Sequence, residues 1–237
     1  MKSIKNVLML FMAIGLASCS NESDEGKIQL RIQGLHSSAN SGKSMTITGK
    51  ENENVIFTDF KISIRDVVFK NDDDPNSNLD TDEIQFRGPY QIDLLDGSDA
   101  LTQTIGTALV PDGLYKELRF KFHKDEDLPA TEDLYDKSIY IEGTINGTPF
   151  VFWHDTSENL DVGRNTGVQV VDGLVNFTVT FDIDQFLSSF NVIDLSLATD
   201  DNQDGLIEIF PNDEDGNQDI ADSLKENIKA TADIIDN

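Results

Sequence analysis

The chain is poor in cations and nearly free of cysteine. Its 237 residues include 18 Lys and Arg against 44 Asp and Glu, with one cysteine, three histidines and four methionines. A single cysteine excludes an internal disulfide, and so few soft side chains leave a copper-type site without ligands. At a formal charge of −26 the surface repels nucleic acid and anionic lipid. No Gly-x-Ser-x-Gly elbow, His-Glu-x-x-His pair or phosphate-binding glycine loop occurs, so the common hydrolase and nucleotide chemistries have no signature here. Acidic pairs suited to a glycosidase are so numerous that none carries meaning without a cleft to hold it.

What is present begins with an address. Lys2 and Lys5 precede an apolar run from Val7 to Leu16, too short to span a bilayer, followed by small residues and Cys19. Leu16-Ala17-Ser18-Cys19 resembles the lipobox of bacterial lipoproteins. The resemblance implies that residues 1–18 are removed and that Cys19 carries acyl chains, each buried methylene adding about 0.8 kcal/mol of anchoring; the plainer alternative is an ordinary thiol at a cleavage site. Losing Lys2 and Lys5 takes the charge from −26 to −28. Ser20 after the cysteine favours the outer membrane by the same analogy. The acidic residues 19–26 are either a solvated tether or an export tag that turns the protein to the cell exterior.

The remainder reads as strands. Period-two alternation runs through Ile28, Leu30 and Ile32, through Phe60, Ile62 and Ile64, through Leu118, Phe120 and Phe122, and through Val175, Phe177, Val179 and Phe181. Turn signals at Pro111-Asp112-Gly113, Asn146-Gly147 and Asp172-Gly173 separate such runs. Helical spacing appears only at the end, where Ile220, Leu224, Ile228 and Ile235 form one stripe over 220–237. These patterns predict an all-β antiparallel sandwich over 27–199 with a short C-terminal amphipathic helix.

Asn146-Gly147 sets a register as well as a turn. A two-residue type I′ loop pairs Ile145 with Thr148, and therefore Gly143 with Phe150 and Ile141 with Phe152 on the apolar face. Tyr140 then stands opposite Trp153 on the other face, and Glu142 opposite Val151. The aromatic pair is either a platform for a sugar ring or partner protein, or the floor under a second layer such as the helix. His154 ends the core face beside Asp155, and His123 lies with Arg119 and Lys121, which reads as two unrelated structural or solvated histidines.

The stretch Asp200 to Asp219 holds eight carboxylates and no Lys or Arg. Asp200, Asn202 and Asp204 are spaced two apart and followed by Gly205, so that three oxygen-bearing side chains turn toward one point while glycine permits the bend, which suits calcium. Pro211 occupies the twelfth position and excludes an EF-hand, whose loop closes there with Glu. The shorter loops of calcium-binding β-propellers are similar, and imply Asp200, Asn202, Asp204, Glu208 and the carbonyl of Leu206 as ligands. Asp213, Asp215 and Asp219 repeat part of that pattern and either complete the same shell or hold a second ion. Asp219 or Asn217 has the alternative role of capping the helix. Without metal the stretch is a solvated acidic loop. Residues 71–83 and 123–137 are acidic too, and read as plain loops.

TDFKISIRDVVFK, GPYQIDLL and LVPDGLYKELRFKF together resemble a domain of unknown function found in lipid-anchored Bacteroidota surface proteins. That resemblance spans about residues 27–200 and implies a prealbumin-like β-sandwich at the cell surface, with no activity attached. A more distant similarity, to periplasmic copper-binding proteins, rests on Trp153 and His154 alone. The expectation is a non-catalytic, calcium-stabilised surface lipoprotein that binds a glycan or an envelope protein. The alternatives are a purely structural lipoprotein and a carboxylate-dependent hydrolase.

Overall fold

The computed structural model describes residues 25–36, 45–47, 54–97 and 99–236, so Cys19 and its lipobox lie outside the described residues. Thirteen strands are formed among them: β1 (Glu25–Leu35), β2 (Met45–Ile47), β3 (Val55–Asn71), β4 (Tyr90–Asp96), β5 (Asp99–Ala100), β6 (Thr102–Pro111), β7 (Gly113–Phe122), β8 (Ile139–Ile145), β9 (Thr148–His154), β10 (Asn159–Val170), β11 (Leu174–Asp182), β12 (Ile207–Ile209) and β13 (Ala232–Asp236), with one helix, α1 (Gln218–Ala230). Sheet A runs β13-β11-β1-β6. Sheet B runs β10-β7-β3-β8-β9-β12, with β2 and β4 paired to β3 and β5 to β4. The two pack face to face as the expected all-β sandwich, with the helix against β9 and β12 at one edge of sheet B.

Alternation decides which side chains meet inside. Ile28, Leu30 and Ile32 of β1 and Phe177, Val179 and Phe181 of β11 point inward and are buried. Phenylalanines join the sheets: Phe69 of β3 meets Phe177 edge-on with ring centroids 5.2 Å apart, and Phe120 of β7 lies 6.2 Å from Phe181. Such pairs contribute about 0.5–1.5 kcal/mol beyond the area they bury.

The Asn146-Gly147 turn is built as expected, with both residues at positive φ (52° and 89°). It pairs Ile145 with Thr148, Gly143 with Phe150, Ile141 with Phe152 and Tyr140 with Trp153. A Cβ on Gly143 would lie 1.9 Å from the Ile56 carbonyl oxygen and 2.8 Å from the Phe150 ring, so strand packing itself demands glycine there.

The other two turn signals work differently. Pro111-Asp112-Gly113 and Asp172-Gly173 pass the chain from one sheet to the other, since β6 and β7, like β10 and β11, belong to different sheets. The first corner is fastened by the Tyr115 hydroxyl, which donates to the Pro111 carbonyl at 2.8 Å, and by Asn71, whose amide donates to the Asp112 carbonyl at 3.2 Å. Two pairings are parallel, β1 with β11 and β12 with β9, where an all-antiparallel arrangement was expected. The β1–β11 pairing follows from the second corner, which delivers β11 to sheet A instead of folding it back on β10.

Three predicted boundaries are corrected. The tether is shorter than 19–26, because Glu25 and Gly26 already pair with Pro111 and Val110. The span 200–219 is more than a loop, since it contains β12 and the first two residues of α1. The helical stripe does not reach Ile235. The helix stops at Ala230, where the Thr231 hydroxyl donates to the Ile228 carbonyl at 2.8 Å, and Ala232–Asp236 instead pairs with β11. A seven-residue step from Ile228 to Ile235 fits a helix, but the open edge of β11 offers unsatisfied backbone groups, and pairing with it wins.

Helix α1 buries Ala221, Leu224, Asn227 and Ile228. On its flank Lys225 and Lys229 reach Glu158 at 2.9 and 2.7 Å. The hydrogen bonds from Lys229 and Lys225 depress the Glu158 carboxyl to about 2. A depressed acid stabilises the fold above its ordinary value of 4.5 and loses that contribution as pH falls through its folded value. Two predictions follow from this packing. Between about pH 4.5 and 2 the parent loses stability faster than Glu158→Gln, as read by chemical denaturation at each pH; equal slopes would show that the two lysines do not hold this carboxylate. Gly143→Ala costs about 3 kcal/mol because backbone blocks its methyl, whereas Gly147→Ala, with open space but a left-handed backbone, costs only about 1 kcal/mol in a urea titration.

Candidate functional site

The two regions singled out in the sequence, the acidic stretch and the aromatic pair, are neighbours in space. The parallel register of β12 on β9 sets Ile207 beside Phe150, Glu208 beside Val151 and Ile209 beside Phe152. Ile207 and Ile209 are buried in the core, so Glu208 and Phe210 fall on the outer face of sheet B. Phe210 stacks on Trp153 with centroids 4.7 Å apart and planes 18° from parallel. Lys137, at the end of the 123–137 loop, places its Nζ 5.7 Å from the Tyr140 ring centroid and 5.8 Å from that of Trp153. Tyr140 is buried, Trp153 half-buried, and the Tyr140 hydroxyl donates to Glu142. The open aromatic platform considered for Tyr140 and Trp153 is therefore covered: its second layer is Phe210 and Lys137, not the helix.

Beside this stack lies a groove of about 310 Å³, walled by Tyr140, Glu142, Val151, Pro149 and Leu206 with Thr58 at its side. Across Tyr140 on β3 stands Lys61, bonded to Asp59 and Asp133 at 2.6 Å each. Burial opposes the Lys61 charge, but the bonds to Asp133 and Asp59 outweigh it and hold the ammonium above its ordinary pKa. Burial raises Asp59, partly offset by Lys61, and burial together with Glu142 raises the Tyr140 phenol.

The acidic loop is tied down by its own backbone. Asp200 accepts from the amides of Asp204 at 3.1 Å and Gly205 at 2.9 Å, Asn202 accepts from Asp204 N at 2.9 Å, and Asp204 accepts from Leu206 N at 2.9 Å. Gly205 takes the expected sharp bend at φ 91°. The second half is buried and acts as a buckle. Asp215 accepts from Asn202 N at 3.2 Å and Glu208 N at 2.9 Å, while Asp213 accepts from Phe210 N at 3.2 Å and Asn217 N at 2.9 Å. The Asn217 amide spans Thr199 and Glu208, donating to their carbonyls at 2.9 and 2.7 Å. Neither Asn217 nor Asp219 caps the helix by its side chain: Asn217 is committed to this buckle, and Asp219 remains exposed in the first turn, where it complements the helix dipole.

The expected ligand set is only partly assembled. Asp200 and Asn202 direct oxygens at the same Asp204 amide, so this end of the loop converges. Glu208 is carried onto the outer face by β12, and among the described residues no three Asp, Glu, His or Cys side chains gather at one point. Burial, followed by the charges of Asp215 and Asp204, raises the Glu208 carboxyl, which marks an uncompensated negative field.

Phe210 and Lys137 were not singled out in the sequence. Phe210 was legible, because the Ile207-Glu208-Ile209 alternation already sends residue 210 to the face opposite the core. Lys137 carries no local signal, since its place depends on how the 123–137 loop folds back. The buckle yields a direct prediction. Asp215→Asn keeps one acceptor and turns an NH₂ group against a backbone N–H, costing about 2–3 kcal/mol in a denaturant titration; a loss below about 0.5 kcal/mol would rule out the buckle. No protein-family model, curated protein or solved structure matches the chain.

Proposed function

We propose that the protein is a non-catalytic, calcium-stabilised lipoprotein of the outer membrane, anchored through Cys19 and facing the exterior, whose groove beside Tyr140 and Glu142 binds a glycan or another envelope protein. One observation carries this reading: β12 lays the acidic loop along β9, so that Leu206 of the loop and Tyr140 and Glu142 of β8 wall one groove. An aromatic edge, a carboxylate and a hydroxyl around a small cavity are what orients a sugar or a polar side chain. Calcium would relieve the repulsion around Glu208 by using lone pairs that Asp200 retains after accepting two amides and that Asn202 and Asp204 retain after accepting one each. A structural role without a ligand is the second reading, favoured by the cover that Phe210 places on Trp153. The hydrolase alternative has less support, because the two carboxyls with raised pKa, Asp59 on β3 and Glu208 on β12, are separated by β8 and β9.

The test is a melting curve of residues 20–237 with calcium, with magnesium and with chelator. At a hundred times Kd, calcium adds about 2.7 kcal/mol, or roughly 5–10 °C for a domain of this size. Asp204→Asn preserves the acceptor for Leu206 N–H, so its melting point in chelator is unchanged while most of the calcium-induced rise disappears. Trp153, the only tryptophan, reports the same event through its fluorescence. Equal calcium shifts in parent and variant, or none in either, would remove calcium from the proposal. A glycan array probed with the protein and with Glu142→Gln then separates the binding reading, in which hits weaken in the variant, from the structural one, in which the protein gives no hits.

A further inference from the structure

The outer face of sheet A is unlike the rest of this molecule. Its positions across three strands are Lys27, Gln29, Arg31 and Gln33 on β1, with Leu109, Thr107, Thr104 and Thr102 opposite on β6 and Leu174, Asn176, Thr178 and Thr180 opposite on β11. None of these twelve is acidic, in a chain with 44 carboxylates, and two are cations; Thr178 and Thr180 among them are buried, and the fourth strand, β13, adds the exposed Asp233 opposite Thr180. At the end where β1 begins, the face becomes apolar: Leu109 and Leu174 flank exposed Lys27 in one row, and Val171 stands in the neighbouring corner. Leu109, Val171 and Leu174 are 61, 59 and 58 % exposed. Glu25, Asp112 and Asp172 stand at the rim of this end, Asp172 N donating to Asp112 at 3.3 Å.

The same end receives the chain from its N-terminus. Five residues lie between Cys19 and Glu25, and the six Cα-to-Cα steps reach about 20 Å when fully extended. We propose that this apolar row and the acid-free β1–β6 part of the face behind it form a membrane-resting surface, on which the anchored protein lies with Leu109, Val171 and Leu174 among zwitterionic lipid headgroups. The inference rests on the lipid anchor read at Cys19. Here aliphatic side chains enter the interface and Lys27 and Arg31 pair with headgroup phosphates. The three rim carboxylates select against anionic lipid.

The test uses the full acylated chain in phosphatidylcholine vesicles. With Cys19 acylated, a cysteine introduced by Leu109→Cys, Leu174→Cys or Leu197→Cys is the only free thiol, and each is labelled with a fluorophore. Leu197 is at least as exposed and belongs to the segment that follows Asp182, the far end of β11, which is roughly 25 Å from Leu174 by strand rise. Brominated phosphatidylcholine should quench labels at 109 and 174 at least threefold more than at 197, and replacing half of the lipid by phosphatidylglycerol should reduce the difference. Equal quenching at all three positions overturns the proposal. Shielding of 109 that grows with protein concentration without lipid also overturns it, assigning the row to a second copy. The anchor is judged separately by membrane partition of Cys19→Ser. If the parent proves unanchored, the labelled chains are mixed with the same vesicles, and absence of quenching at 109 and 174 overturns the surface too.

Discussion

A turn of two residues governs which side chains sheet B shows to the core and which to solvent. Asn146 and Gly147 set β9 against β8, β8 is set against β3, and β12 inherits its register from β9. Because side chains alternate along every strand, a slip of one residue at this turn would exchange Phe150 and Phe152 with Val151 and Trp153. The core would then hold Trp153 and Glu208, and the cost of burying a carboxylate makes the observed register the stable one. Trp153, Glu208 and Phe210 join Tyr140 and Glu142 on one face for this reason.

Cation scarcity shapes the rest of the surface. Several cations are shared between carboxylates: Lys61 between Asp59 and Asp133, Arg119 between Asp80 and Asp161, and Lys225 and Lys229 between Glu158 and Glu226. Exposed pairs of this kind contribute only about 0–1 kcal/mol each, so they orient loops and the helix more than they stabilise them. The remaining acids use backbone amides. In the 72–83 loop Asp72 and Asp73 accept from Lys116 N at 3.1 Å and Leu114 N at 2.8 Å, docking the loop on β7, and Asp213 and Asp215 do the same for the acidic loop. Carboxylate-to-amide bonds are stronger than neutral ones and fix a loop without a cation.

The legible parts of the fold are those that depend on neighbours in sequence. The β8–β9 register followed from Asn146-Gly147, and the inward rows of β1, β3, β7 and β11 followed from alternation. Pairings that depend on distant segments did not follow. Nothing local in Leu174–Asp182 shows that it lies parallel to β1, and Pro111-Asp112-Gly113 has the composition of a hairpin turn although Tyr115 and Asn71 make it a corner. Ile235 misled because helix and strand each accept an isoleucine at that position, and only the free edge of β11 decides between them. At the site, the spacing of Asp200, Asn202 and Asp204 indicated a tight oxygen-lined loop and the loop is tight. The spacing carries no information about Glu208, whose direction is set by a strand 57 residues earlier, as the pairing of Glu208 with Val151 requires.

The position of the loop has an energetic corollary for the proposed function. Leu206 follows Asp204 and Gly205 directly, its amide is held by Asp204, and its side chain walls the groove shared with Tyr140 and Glu142. A cation that orders Asp200, Asn202 and Asp204 therefore orders one wall of that groove, and a ligand in the groove orders the cation's loop in return. By linkage the two affinities must change by the same factor. The coupling also explains why Phe210 rests on Trp153: the stack pins the end of β12, so that ordering at residues 200–206 is transmitted to the groove rather than dissipated along the chain.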